Sequence, residues 1–151
     1  MKKLFSFFIL TGILSGFGFI NPKINISSKA LDSFNTDFNN VRNIKWFAGD
    51  NIYIVSFEQN DIRTRINYDK DGRFLSSVRY YTESNLPFNV LLKIKEKYKG
   101  KTIKIVTELI EDDMIRYSVN VEDEENIYVI ESNSDANIHL ERKYKKQNST
   151  E

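Results

Sequence analysis

Residues 43–81 read NIKWFAGDNIYIVSFEQNDIRTRINYDKDGRFLSSVRYY, and their apolar period is two rather than 3.6. Tyr53, Val55 and Phe57 alternate with Ile54 and Ser56, and Ile62, Thr64, Ile66 and Tyr68 alternate with Arg63, Arg65 and Asn67. Read the same way, Phe74, Val78 and Tyr80 share the core face, opposite Leu75, Arg79 and Tyr81. A sheet with one buried face imposes this alternation, because successive side chains point to opposite sides. Ala48-Gly49-Asp50, Gln59-Asn60-Asp61 and Lys70-Asp71-Gly72 punctuate the strands with residues that tolerate positive φ. Each connection is too short for a helix, so the stretch predicts a four-stranded antiparallel meander.

Outward from this stretch, the pattern turns helical on both sides. Upstream, Leu31, Phe34, Phe38 and Val41 fall on one helical face, with Ser27 or Ser28 as N-cap. Downstream, Pro87 opens a second helix with Leu91, Ile94 and Tyr98 as its stripe, and Gly100 marks its end. Four further strand patterns follow at residues 102–109, 114–121, 126–131 and 137–144. The register repeats: Leu31, Phe34 and Phe38 correspond to Leu91, Ile94 and Tyr98, and residues 71–80 correspond to 135–144. The expected fold is therefore α+β, built from two tandem α-β4 repeats at 29–81 and 82–145. In each, one helix packs on a four-stranded antiparallel meander. The two together form one domain, followed by a frayed tail at 146–151.

The N-terminus carries an export signal. Lys2 and Lys3 precede an uncharged run from Leu4 to Ile20, the n-region and h-region of a signal peptide over residues 1–20. A retained anchor is the alternative, but Thr11, Ser15 and three glycines dilute the run. The expected location is the periplasm or the medium, with no stable membrane span after cleavage. The chain has no cysteine, which removes disulfides, lipid attachment at cysteine, thiol catalysis and cysteine metal sites together. Its 22 basic and 21 acidic residues nearly cancel, so no bulk field draws it to nucleic acid.

The order of short motifs resembles the PepSY-like proteins, and more closely their beta-lactamase-inhibitor-like group. The matching pieces are Ile44-Lys45-Trp46, Val55-Ser56-Phe57, Tyr68-Asp69-Lys70-Asp71-Gly72, Leu86-Pro87, Lys97-Tyr98-Lys99-Gly100 and Ile103. The resemblance covers residues 30–144. It implies an exported protein of α-β4 repeats that binds another protein across its sheet. Two departures are Asn39, where proline is common in the family, and Ala136, where the first repeat has Gly72.

Little in the chain suggests catalysis. Asn67-x-Asp69-x-Asp71-Gly72 starts like a calcium loop, but the twelfth position is Val78, not glutamate, so it reads as a hairpin turn. His139 is the only histidine and has only Glu141 beside it on its face. Residues 111–113 and 122–125 are acidic clusters at turns, where water keeps paired carboxylates from splitting their pKa values. The lysine-rich run 93–104 reads as a solvated helix face. No nucleophile motif or phosphate loop is present. The expectation is a non-enzyme with no catalytic residue, cofactor or metal.

What remains is the sheet face away from the helices. The expected partner-binding residues there are Phe47, Ile54, Arg63, Arg65, Leu75, Arg79 and Tyr81, a mixture of arginine, aromatic and aliphatic groups typical of protein interfaces. Lys45 belongs to the same face, and in the second repeat Glu108, Glu122, Glu131 and Glu141 make its counterpart more acidic. The predicted function is an exported protein-binding module, inhibitor-like or regulatory, acting on an envelope or secreted hydrolase. A structural envelope protein that uses the sheet for self-association is the alternative.

Overall fold

The computed structural model describes residues 25–147. The signal-peptide segment 1–20 and residues 148–151 of the tail lie outside them. Helix α1 (Ser28–Asp37) is followed by strands β1 (Arg42–Ala48), β2 (Ile52–Gln59), β3 (Ile62–Asp69) and β4 (Phe74–Tyr81). A short 3-10 turn at Glu83–Asn85 leads to helix α2 (Phe88–Lys97). Strands β5 (Thr102–Glu111), β6 (Met114–Glu122), β7 (Asn126–Asn133) and β8 (Ile138–Lys145) complete the chain. All eight strands form one antiparallel sheet in sequence order. The two groups of four join edge to edge, where β4 pairs with β5 from Ser76↔Glu111 to Tyr81↔Val106.

Local chemistry explains the element boundaries. The Ser27 side chain accepts a hydrogen bond from the Ala30 N–H at 3.2 Å, which caps one of the orphan donors at the start of α1. Asn60 (φ 51°) with Asp61 (φ 62°), and Asp112 (φ 49°) with Asp113 (φ 59°), supply the paired positive φ of two-residue hairpin turns. At the β3–β4 turn, Asp69 Oδ1 accepts the backbone N–H of Asp71 and of Arg73, at 2.8 and 2.9 Å. That carboxylate is spent on the turn.

Both helices cover the same sheet face, and the core forms two clusters. One gathers Ala30 and Phe34 of α1 with Val55, Phe57, Ile66 and Tyr68. Trp46 is partly buried against it, edge-on to Phe34 at 5.5 Å. The other gathers Val90 and Ile94 of α2, and Tyr98 capping its C-terminus, with Val106, Tyr117, Val119, Val121 and Ile130. The helix α2 stripe is thus wider than Leu91, Ile94 and Tyr98: Val90 is fully buried and Leu91 only partly so.

Gly72 locks α1 onto the β3–β4 turn. Its φ is +77°, and a Cβ there would lie 2.5 Å from the Lys29 carbonyl oxygen. Ser33 Oγ donates to the Gly72 carbonyl at 2.8 Å, and Lys29 pairs with Asp71 at 2.8 Å. Gly72→Ala therefore combines a left-handed alanine with a backbone clash. We expect it to cost about 2–3 kcal/mol in chemical denaturation. Ala136 also has positive φ (59°), but its methyl packs against the α2 cluster, so it tolerates the conformation.

Asp123, expected to be a solvated turn residue, is instead a hub. Its Oδ1 accepts the N–H groups of Glu125 and Asn126 at 3.0 and 2.8 Å, while Oδ2 takes the Tyr128 hydroxyl at 3.0 Å and the Lys101 ammonium. The Lys101 hydrogen bond above all, with the two backbone N–H groups and Tyr128, holds its carboxyl well below the usual carboxylate range. Asp71 and Glu122 are lowered too, by Lys29 and by Lys104 with Lys146. A carboxyl with a lowered folded pKa stabilises the fold above its unfolded value and loses that contribution as pH falls through it. The urea midpoint should therefore drop below about pH 4. In Asp123→Asn that drop should be shallower, though not abolished. An equal slope in both proteins would show that the hub does not couple to folding.

Candidate functional site: the open sheet face

Strand register decides which side chains share the helix-free face. Directly paired residues lie on the same side of a sheet. One row runs Phe47, Ile54, Asn67, Ser76, Glu111 and Met114 across β1 to β6. The next runs Lys45, Ser56, Arg65, Val78, Leu109 and Arg116. A third runs Glu58, Arg63, Tyr80, Thr107, Ser118 and Glu131. Phe47, Ile54, Arg63 and Arg65 thus lie together on the open face.

Leu75, Arg79 and Tyr81 do not join them. A bulge between β3 and β4 pairs Tyr68 with Phe74 but Asn67 with Ser76, which leaves Leu75 as the extra residue. One inserted residue flips every later side chain to the other face. Arg79 and Tyr81 therefore point to the helix side, and Tyr81 is only 4% exposed, inside the α2 cluster. Val78 and Tyr80, expected in the core, take their places on the open face. Leu75 sits in the kink, 40% exposed. The same correction applies to Glu108, which lies opposite Arg79 on the helix side and is 6% exposed. A second bulge, between Ile103 and Ile105, produces that parity in β5.

Glu108 organises a buried network. Arg79 Nη1 donates to its Oε1 at 2.8 Å, and the Tyr81 hydroxyl donates to its Oε2 at 2.6 Å. The Arg79 guanidinium also lies 5.5 Å from the Tyr81 ring centre. Burial first, and the Glu108 carboxylate second, push the Tyr81 phenol far above its ordinary pKa, so it stays a proton donor.

The open face has the opposite character. Phe47 is 51% exposed and Tyr80 37%, with Ile105 and Met114 exposed further along. Among the described residues, Arg63 and Arg65 have no carboxylate within ion-pair distance. A shallow depression of about 290 Å³ opens beside Arg63 and Tyr80, bounded by Glu58, Lys104 and Ile105. Asn67 donates to Ser76 Oγ at 2.8 Å, yet its buried Oδ1 has no partner. An exposed aromatic and aliphatic surface with two unpaired guanidinium groups suits a protein surface that supplies carboxylates. The sheet edges suit it less: Asn43 (φ 56°) sits in a bulge on β1, and β8 carries Arg142, Lys143 and Lys145.

Among the described residues, no three His, Cys, Asp or Glu side chains converge as a metal site, and no helix is long and apolar enough to cross a membrane.

A BLIP-like protein from Bacteroides fragilis superposes with a TM-score of 0.61 at 17% identity, over 85% of this chain and 93% of that one. The chain has the BLIP-like fold. A protein provisionally assigned to the periplasm of Bacteroides eggerthii superposes at 0.58, with 13% identity over 80% and 89%. A DUF2874 family protein from Bacteroides uniformis does so at 0.56, with 15% identity over 78% and 88%. At these identities the likeness establishes the BLIP-like fold and no more. No family model and no curated protein matches the chain.

Proposed function

We propose that this is an exported, non-enzymatic module that binds a folded protein across its open sheet face. We place the partner among envelope or secreted hydrolases. The order helix, four strands, helix, four strands is read as two α-β4 repeats, as in the beta-lactamase-inhibitor-like group that the sequence resembles. The observation that carries the proposal is the face itself: Phe47, Ile54, Val78 and Tyr80 around the unpaired Arg63 and Arg65. Export rests on the N-terminal charge and apolar run, and agrees with the provisional periplasmic assignment of one protein of the same fold.

A photo-crosslinking side chain at Arg65 or Tyr80 should trap a protein of different mass in the producing cell. The same group at Lys93, exposed on α2, should not. Arg65→Ala and Tyr80→Ala should each weaken the purified complex by about 30-fold, the size of a hot-spot loss, with an unchanged melting midpoint. Adducts at the protein's own mass would favour self-association instead. Trapping from Lys93 alone would place the interface on the helices and end the proposal.

A further inference from the structure

The helix-covered face contains a trench that neither helix fills. The α1 cluster occupies the β2–β3 side and the α2 cluster the β5–β7 side. Between them, over β3 and β4, lies a space of about 380 Å³. That is within the range of small-molecule sites and too small for a folded element. Ile62, Ile66, Phe74 and Ile110 give it apolar walls.

Polar side chains line it as well: Asp37, Gln59 and Asn60 beside its α1 end, and Thr64, Tyr68, Ser77 and Arg79 along β3 and β4. Thr64, Tyr68 and Ser77 are buried residues that line it, and among the described residues none of their hydroxyls has a side-chain partner. Burial first, and the charge of Asp37 second, raise the Tyr68 phenol to about 12, so it too remains a donor. Arg79 lines the trench with its side chain 36% exposed and spends only Nη1, on Glu108. Both oxygens of Glu108 are occupied, by Arg79 and Tyr81, so the guanidinium is held in place with Nε and Nη2 available. Four donors therefore open onto one trench, where a ligand's acceptor would meet them.

The charge balance narrows the ligand. Glu108 already neutralises Arg79, and Asp37 also lines the trench, so no net field favours an anion. A cation would have to lie against the Arg79 guanidinium deep in the trench, because Asp37 sits exposed at its rim, where water screens it. We propose that the trench between α1 and α2 binds a small uncharged amphipathic molecule, its carbonyl oxygen on Arg79 and the hydroxyls, its apolar body along Ile62, Ile66 and Phe74.

Three probes of equal chain length test this: octanamide, octanoate and octylammonium, titrated into the folded protein while its backbone amide resonances are followed. Octanamide should shift the amides of Thr64, Tyr68, Ser77 and Ile110 and leave those of Lys45 and Phe47 on the open face unmoved. Octanoate and octylammonium should bind at least about tenfold more weakly, the effect of one charged group left poorly paired. Phe74→Ala, at a half-exposed residue the core does not need, should weaken octanamide several-fold with an unchanged melting curve, as should the near-isosteric Thr64→Val. No trench shifts with octanamide at about millimolar concentration, where apolar fragments of this size normally bind, would overturn the proposal. So would octanoate binding as tightly as the amide. Neither result touches the open-face reading, because that face is followed in the same spectra.

Discussion

Glu108→Ala should lower stability by about 3 kcal/mol, read as a shifted urea midpoint with an unchanged slope. The expected loss comes from what the alanine leaves behind rather than from the pair's own attraction. Arg79 and Tyr81 both point at the vacated volume, and neither has another side-chain partner there. Breaking a buried pair typically costs about 3–5 kcal/mol, because the surviving charge stays desolvated. Arg79 keeps part of its side chain in water, which places the expectation at the lower end. Tyr81→Phe removes one hydroxyl and should cost only about 1 kcal/mol. The double variant Arg79→Met with Glu108→Leu should recover most of the loss, since apolar groups of similar volume often replace a buried pair neutrally. If Glu108→Ala alone leaves the midpoint unchanged, water enters the trench and satisfies both groups, and Glu108 is not a structural centre.

That network also shows where the sequence stops being legible. The alternation in β2 and β3 was readable because Val55, Phe57, Ile66 and Tyr68 are interrupted only by polar or exposed residues, and a half-buried sheet leaves that mark. The hairpins were readable because Asn60-Asp61 and Asp71-Gly72 are chemically suited to positive φ. The bulge at Leu75 was not. It lies in Phe74-Leu75-Ser76, with no glycine or proline to announce it, and the residues beyond it are ambiguous: Val78 and Tyr80 look as buriable as Tyr81. Of the seven residues expected on that face, Phe47, Ile54, Arg63 and Arg65 therefore lie on the helix-free side, Leu75 sits in the kink, and Arg79 and Tyr81 lie on the opposite side. A signal did exist. If β4 neighbours β5, Arg79 comes opposite Glu108, and opposite charges directly across a ladder favour that register. Propensity alone cannot reveal it, because it depends on a pairing between strands 29 residues apart along the chain.

Phe57→Ala should cost about 3–5 kcal/mol, the usual range for removing a buried phenylalanine. Phe57 is 1% exposed and touches the rings of Phe34 at 5.2 Å and Phe38 at 4.8 Å. Apart from the Ser33 and Lys29 contacts to the β3–β4 turn, helix α1 is held by a narrow apolar face, since only Ala30 and Phe34 of its residues are buried. Truncation therefore leaves a cavity beneath the helix that the rigid sheet cannot close. The more informative question is how far the damage spreads. The two core clusters are separate, with the polar residues Thr64, Ser77 and Glu108 between them, so the α1 half could loosen by itself. Against this stands the sheet: β4 and β5 are paired over six residues, and unfolding β2 to β4 alone would expose that whole edge of β5. Six ladder pairs outweigh a seam of a few polar side chains, so the chain should unfold as one unit. Trp46, the only tryptophan, reports the α1 cluster through its contact with Phe34, whereas far-ultraviolet circular dichroism reports the whole sheet. Both probes should give the same lowered midpoint in Phe57→Ala. If Trp46 fluorescence shifts at a lower urea concentration than the dichroism, the two halves fold separately, and the β4–β5 ladder is weaker than the cores on either side of it.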